Sequence, residues 1–286
     1  MPALDLGAGA FRPLLINGEP TRLVQASDRG LAYGDGLFET LLLIDGNPML
    51  WERHMARLAT GEARLGLPGT DKNLLLEETL ALASGAGREV VKIILTRGSG
   101  GRGYRPPPEP AVTRILSRHE WPDYPASWFI DGVRLRLCET RLGCCPQLAG
   151  IKHLNRLEQV LARREWSDDR IAEGLMLDTR GNVVEGTQSN LFLLREGRLM
   201  TPDLSHCGVA GVVRDLVIEE ADSLGIECYR LAVTVDDLAT ADALFLTNSI
   251  LGICPVRGLN QVRYDPTRIP LRLRENVARL VLGRTA

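Results

Sequence analysis

Apolar residues along this chain change their period again and again, and that alternation is what most restricts the fold. Stretches repeating every two residues read as strands, and stretches repeating every three to four read as helices. The two kinds follow one another from end to end. Such a chain is expected to lay helices against sheet, which predicts an α/β (α+β) class.

In the first part, LLINGEP reads as a strand and turn, and GLFETLLLIDGNPML as two strands joined at Asp45-Gly46-Asn47. Leu50, Met55, Leu58 and Leu65 recur at near-helical spacing, and Leu74 to Leu82 form a further helix. Glu89 to Thr96 is rich in β-branched residues and reads as a buried strand. Four prolines and four glycines between Arg97 and Pro110 then exclude regular structure, so this segment is an ordered loop or a lid. Two prolines among the polar and aromatic residues of His119 to Ser127 mark the expected domain boundary, since 286 residues exceed the usual single domain. The expected division is residues 1–120, a linker at 121–127, and residues 128–286.

Beyond it, VRLRLCET alternates as a half-exposed strand, and Leu154, Leu157, Val160 and Leu161 are expected to line one face of a helix. GLMLD, NLFLLREGRLM with a Glu196-Gly197 turn, and ALFLTNS supply further strands. Val213, Leu216, Val217 and Leu224 define a helix that Gly225 stops, and an arginine-rich amphipathic helix closes the chain.

Composition removes several classes of function. Lys+Arg 34 against Asp+Glu 36 gives a net charge of -2, so no overall field attracts nucleic acid or an acidic membrane. No apolar run reaches the ~18 residues of a spanning helix, and MPALDLGAGAFRP lacks the regions of a signal peptide, so a cytoplasmic location is expected. The six cysteines form no C-x-x-C pair, and the four histidines are scattered; buried or incidental thiols and no metal site are expected.

Lysine occurs only at Lys72, Lys92 and Lys152, which leaves 31 arginines among the 34 basic residues. A function that needs a primary amine has few candidates. Lys72, in the turn-like TDKN, reads as a surface charge, and Lys92, inside the EVVKIILT strand, is expected to hold its head at the solvated edge of the sheet. Lys152 follows Gly150, where backbones can pack closely. A lysine desolvated there would lose part of its basicity and become a nucleophile, although spacing alone equally allows a surface charge.

Other polar clusters carry two readings each. YGDGLFET is a turn entering a strand or a site; GSGGRGY places Arg102 and Tyr104 on a loop that is an anion-binding lid or merely solvated. Its glycines resemble a dinucleotide loop only superficially, because prolines stand where the helix would begin. Glu185, in VVEGTQSNLFLL, is expected to be enclosed and to need a cationic partner such as a protonated ring nitrogen. GVAGVVR puts two glycines before a helix, the setting of a phosphate site, and LTNS adds hydroxyl and amide donors. An amine, an enclosed carboxylate and a phosphate cradle together are what pyridoxal phosphate requires.

At this point the chain resembles the fold-type IV pyridoxal-phosphate enzymes, the group of branched-chain and D-amino-acid aminotransferases and aminodeoxychorismate lyases. GDGLFET, HMARL, AGIKHLNRLEQ, VVEGTQSNLF, GVAGVVR and LTNS occur in the family's order across nearly the whole length. VKIILTRGSGGRGY and AGIKHLNRLEQV are more similar to the lyases than to the aminotransferases.

The resemblance implies a small N-terminal α/β domain, a larger C-terminal domain with a barrel-like sheet, and a homodimer whose partner helps to close the site. It implies that Lys152 bonds the cofactor and acts in catalysis, that Glu185 pairs with the pyridine nitrogen, and that Arg57 holds the phosphate with Val212, Val213, Asn248 and Ser249. Thr40 would lie near the reacting carbons, and Arg102 and Tyr104 would read the carboxylates of aminodeoxychorismate. The implied reaction makes 4-aminobenzoate and pyruvate, a step of folate biosynthesis. The tyrosine that follows the lysine in branched-chain aminotransferases is missing, with Asn155-Arg156-Leu157 in its place, which counts against the alternative of a D-amino or branched-chain aminotransferase.

Overall fold

A computed structural model describes residues 13–283 of the chain. The N-terminal segment read above for targeting signals therefore lies almost wholly outside the described residues, apart from Pro13. Among the described residues no helix is long and apolar enough to cross a membrane.

The first half contains β1 (Leu14–Ile16), α1 (Arg29–Tyr33), β2 (Gly36–Ile44), β3 (Asn47–Pro48), α2 (Trp51–Leu65), α3 (Lys72–Leu82), β4 (Arg88–Thr96) and β5 (Thr113–Glu120). Its antiparallel sheet runs β1-β5-β4-β2-β3. Asp45 and Gly46 both take positive φ (47° and 78°), the two-residue turn whose twist matches that of the strands it joins. Alternation along β2 then sorts its side chains. Leu37, Leu41 and Leu43 are buried against α2 and α3 with Val91, Ile93 and Leu95 of β4. Leu42 and Val90 face the other way and join a second apolar core.

The second half contains α4 (Ala126–Ile130), β6 (Val133–Leu142), α5 (Leu157–Arg163), β7 (Ile171–Asp178), β8 (Val183–Gly186), β9 (Asn190–Arg195), β10 (Arg198–Pro202), α6 (Val212–Ser223), β11 (Cys228–Leu231), α7 (Val235–Ala239), β12 (Ala243–Asn248), β13 (Gly252–Leu259), β14 (Val262–Arg263) and α8 (Leu271–Leu282). Its strands run β11-β10-β9-β12-β13-β6-β7-β8, with β14 beside β13. Register shifts in the β13–β6, β6–β7 and β7–β8 pairs let this sheet curl. The mixed architecture and curled larger sheet agree with the expected α/β (α+β) class with a barrel-like larger sheet.

Helices α6 and α8 fill the space between the curled sheet and the first sheet. Val213, Leu216, Val217, Val277 and Val281 pack there with Phe192 and Phe245. These two rings are register partners on β9 and β12, stacked 4.9 Å apart. A stack of this kind adds roughly 1 kcal/mol to the burial of the rings. It fixes the strands that end at the site.

Two expectations are corrected. Lys92 is not at an edge, because β4 lies between β5 and β2. In α5 the apolar residues face outward: Leu157 is 76% exposed, Val160 53% and Leu161 50%, whereas Gln159 and Ala162 are buried. Leu154 precedes the helix. Periodicity identified the apolar side, but among the described residues that side stays largely exposed.

Candidate active site

A cavity of about 320 Å³ opens between the two sheets. Phe38 and Thr40 of β2 and Arg57 of α2 form one side. Glu185, Val212, Val213, Asn248 and Ser249 form the other, and Lys152 lies between.

Hydrogen bonds stitch the lysine segment to both sides. Phe38 N donates to Lys152 O at 2.9 Å and Leu154 N to Gly36 O at 3.0 Å, tying it to β2. Gly150 N donates to Gly208 O at 2.8 Å, and Ala210 N to Gly150 O at 3.0 Å, tying it to the turn before α6. Gly150 takes φ +81°, which only glycine adopts without strain. The Lys152 ammonium sits 4.3 Å from the centre of the Phe38 ring. Burial, then Arg57, lowers its pKa to about 7 against the opposing pull of Glu39; Arg156 adds to the lowering and Glu185 opposes it. An amine so placed is partly uncharged near neutrality.

Glu185 is buried at the end of β8, where Oε2 accepts from Val209 N at 2.8 Å. Burial pushes its carboxyl above the usual range, while the Val209 N–H, Arg156 and Lys152 pull it down. Such a group is incompletely compensated and suits a cationic N–H.

The opposite end of the cavity suits an anion. Asn190 Nδ2 donates to Val209 O at 2.8 Å, and a side chain at Gly211 would collide with Asn190 Oδ1, so the backbone approaches closely where α6 begins. Gly211 caps α6 without a side-chain bond, leaving the first-turn N–H groups of Val212 and Val213 without helical partners. Arg57 reaches the same place from α2 and donates Nη1 to Ala210 O at 3.1 Å. Two further polar atoms on the cavity wall, Thr247 Oγ1 and Gln159 Oε1, are buried with no partner among the described residues. Native interiors rarely leave such atoms unpaired, and a polar ligand would satisfy them. The donor set fits pyridoxal phosphate: an amine for its carbonyl, a carboxylate for its ring nitrogen, and cationic and amide donors for its phosphate.

The remaining residues named from sequence are placed as follows. Thr40 lines the cavity, and its backbone oxygen accepts from Ser249 Oγ at 2.7 Å. Asn248 is largely occupied in its own turn, where Oδ1 accepts from Ile250 N and Leu251 N. Arg102 and Tyr104 are not brought to this cavity; both are exposed on the loop between β4 and β5. That loop is held nonetheless. Buried Arg29 donates to Gly103 O at 3.0 Å and Tyr104 O at 3.1 Å and pairs with Asp35 at 2.9 Å, which Arg97 also binds. Asp35, in the turn entering β2, thus anchors the loop.

Sequence reasoning passed over several residues. Lys92 points to the Phe38 side of the sheet, with Nζ 5.1 Å from that ring. Arg156, Gln159 and Tyr124 also line the cavity, Tyr124 from within the expected linker. Behind the wall, Glu39 is fully buried and joined to Arg57 and His54. Its signal was visible: a carboxylate at a position that alternation assigns to the apolar face, between Leu37 and Leu41.

Comparison with known proteins gives a consistent pattern. Residues 36–259 match the family described as Amino-transferase class IV. The chain is 35% identical over 266 residues to an aminodeoxychorismate lyase of Vibrio harveyi, covering 92% of this chain and 98% of that protein. The structure resembles the crystal structure of 4-amino-4-deoxychorismate lyase from Pseudomonas aeruginosa, with TM-score 0.88 and 49% identity, covering 93% and 98% of the two chains. It also resembles the PLP-bound form of a hypothetical aminotransferase from Mycobacterium tuberculosis, with TM-score 0.78, 26% identity, and coverage of 92% and 95%.

Proposed function

Because the chain belongs to the class IV aminotransferase family, we propose that it is a pyridoxal-phosphate-dependent lyase converting 4-amino-4-deoxychorismate to 4-aminobenzoate and pyruvate. The observation that carries this reading is the single cavity that joins a weakly basic Lys152, an enclosed Glu185 and an anion cradle. Similarity to two lyases over more than nine-tenths of the chain selects the reaction.

When bound, the cofactor supplies a carbonyl for amines and a ring that accepts an electron pair. Lys152 would hold it at its carbonyl, Glu185 would keep a proton on its ring nitrogen, and Arg57 with the first turn of α6 would hold its phosphate. The Lys152 amine, over Phe38, would take the proton from the ring carbon that bears the substrate nitrogen. Thr40 Oγ1 would relay the proton taken up by Lys152 to the methylene carbon of the departing three-carbon group, which leaves as pyruvate with the threonine hydroxyl restored. Loss of pyruvate leaves an aromatic ring, so the overall step is strongly downhill. Half-buried Lys92 stands beside the Phe38 ring on the same side of the sheet.

The protein works as a homodimer in the cytoplasm. Support for a second copy comes from the uncovered apolar side of α5 (Leu157, Val160, Leu161) and from exposed Leu31, Tyr33 and Tyr104, with the two tyrosine rings 5.4 Å apart. In such a dimer Arg102 and Tyr104 of one copy read the substrate carboxylates in its partner's cavity. Six unpaired cysteines fit a reducing compartment.

The deciding experiment supplies aminodeoxychorismate and measures 4-aminobenzoate and pyruvate in equal amounts. Absence of both, with amino-group transfer from D-amino or branched-chain amino acids to 2-oxoglutarate, would replace this reading by an aminotransferase.

A further inference from the structure

One charged cluster lies just behind the cavity, and two of its members, Glu39 and His54, take no part in the chemistry above. Glu39 is flanked in sequence by Phe38 and Thr40, which face the cavity, but its side chain is on the opposite face of β2. It is 0% exposed, as is His54 on α2. Arg57 donates from Nε to Glu39 Oε1 at 2.8 Å and from Nη2 to Oε2. His54, one turn earlier on the same helix, meets Oε2 through Nδ1 at 2.7 Å.

The donor count assigns a purpose to this arrangement. Arg57 carries five N–H donors in a rigid plane. Glu39 engages two and Ala210 O a third. Two remain for the cavity that Arg57 lines. A long side chain free to rotate would present those two donors only part of the time, whereas a planar fork held at two corners presents them continuously.

The geometry points to Glu39 and His54 as positioning residues that hold the Arg57 fork so that its two free N–H groups meet a phosphate at the first turn of α6. The inference rests on the reading of Arg57 as the residue that holds the cofactor phosphate.

His54 adds a second observation. An ionised Glu39 only accepts, so Nδ1 must carry the proton, which leaves Nε2 as a lone pair; that atom is buried with no partner among the described residues. The fold tolerates an unsatisfied nitrogen in order to supply the donor to Glu39. Burial also holds the His54 pKa below its ordinary value, against the pull of Glu39, so the ring is neutral and contributes orientation rather than charge. Burial alone would raise the pKa of Glu39, but Arg57 and His54 outweigh it and hold the carboxyl at about 2.

Charge and position predict opposite results when Glu39 loses its charge. By Coulomb attraction alone, Glu39→Gln unmasks Arg57 and strengthens phosphate binding. If Glu39 positions the fork, the same change weakens it. The measurement is equilibrium binding of pyridoxal phosphate and of pyridoxal, which lacks the phosphate, to the cofactor-free full-length protein, followed by absorbance and fluorescence.

Glu39→Gln is expected to weaken pyridoxal phosphate binding by roughly ten- to a hundredfold, the span of hydrogen bonds to charged groups, and to change pyridoxal binding by less than about twofold. His54→Leu is expected to weaken pyridoxal phosphate by about fivefold, and His54→Asn, which keeps an N–H near the Nδ1 position, to restore it. Equal or tighter pyridoxal phosphate binding by Glu39→Gln overturns the inference. Should that variant fail to fold, as judged by circular dichroism, the His54 pair decides: equal losses in Leu and Asn overturn it. Arg57→Ala is the separate control. If it leaves the preference for pyridoxal phosphate over pyridoxal unchanged, the reading of Arg57 itself fails; if it abolishes the preference while Glu39→Gln preserves it, only the positioning inference fails.

Discussion

Glu39 and Glu185 stand on strands on either side of one cavity, and both are buried, but their surroundings act on them in opposite directions. Around Glu39, one guanidinium and one imidazole outweigh burial and hold the carboxyl at about 2. Around Glu185, a single backbone N–H and more distant positive charge do not outweigh burial, and its pKa is raised. The Glu39 carboxylate therefore has its charged partners without a ligand, and the Glu185 carboxylate does not. Burial alone does not distinguish a structural carboxylate from a functional one; the count and charge of its partners does.

Lys152 lies between the two sides and is influenced by both glutamates, so its removal should give the largest effect. Lys152→Ala should lower turnover by 10⁴-fold or more, since nucleophile and base go together. Activity surviving within tenfold would move the chemistry to another amine. Glu185→Gln comes next. Stopped-flow turnover should fall by roughly 10²- to 10³-fold, the scale on which one electrostatic partner acts in catalysis.

Stability tests the contrast directly. In the cofactor-free protein Glu39→Gln breaks a compensated buried pair and should cost about 3 kcal/mol, whereas Glu185→Gln should be neutral or stabilising. The pH dependence differs in sign as well. Glu39, with its folded pKa lowered, stabilises the fold above its unfolded value of 4.5 and loses that contribution as pH falls toward about 2. Glu185, with its folded pKa raised, costs stability as pH rises through and above 4.5. Thermal melts of each variant against the parent across pH 2 to 8 should converge at the acid end for both; equal slopes would erase the distinction.

A smaller effect belongs to Lys152 itself. Only the neutral amine captures a carbonyl, and its pKa is about 7, so the rate of pyridoxal phosphate capture should rise about tenfold per pH unit below 7 and level off above it. A rise continuing to pH 10 would mean that the lysine is solvated. The smallest change is expected at the loop: Arg102→Ala should raise KM roughly tenfold with little change in kcat, the loss of one charge-assisted pair. A fall in kcat at constant KM would remove Arg102 from substrate binding.

The regular elements were largely legible because their causes are local. Positive-φ pairs at Asp45-Gly46 and Glu196-Gly197 turn the hairpins where those dipeptides stand, and Gly225 lies just past α6. Contacts between distant segments were not legible. Glu39, His54 and Arg57 lie on two elements and become a unit only when β2 packs on α2. Lys92 was misplaced because alternation gives a residue's face but not its strand's position in the sheet. The outward side of α5 was missed for a related reason: an apolar stripe gives the side of a helix, without showing that the fold turns that side inward.

The anchoring of the loop by Arg29 has a consequence for altering substrate range. Arg29 grips the carbonyl oxygens of Gly103 and Tyr104, and Asp35 steadies it from the turn before β2. An anchor that reads only backbone is indifferent to the side chains displayed above it. Positions 102 and 104 can therefore be randomised while the loop keeps its path, and a library confined to these two residues would sample new acids and amines on an unchanged frame.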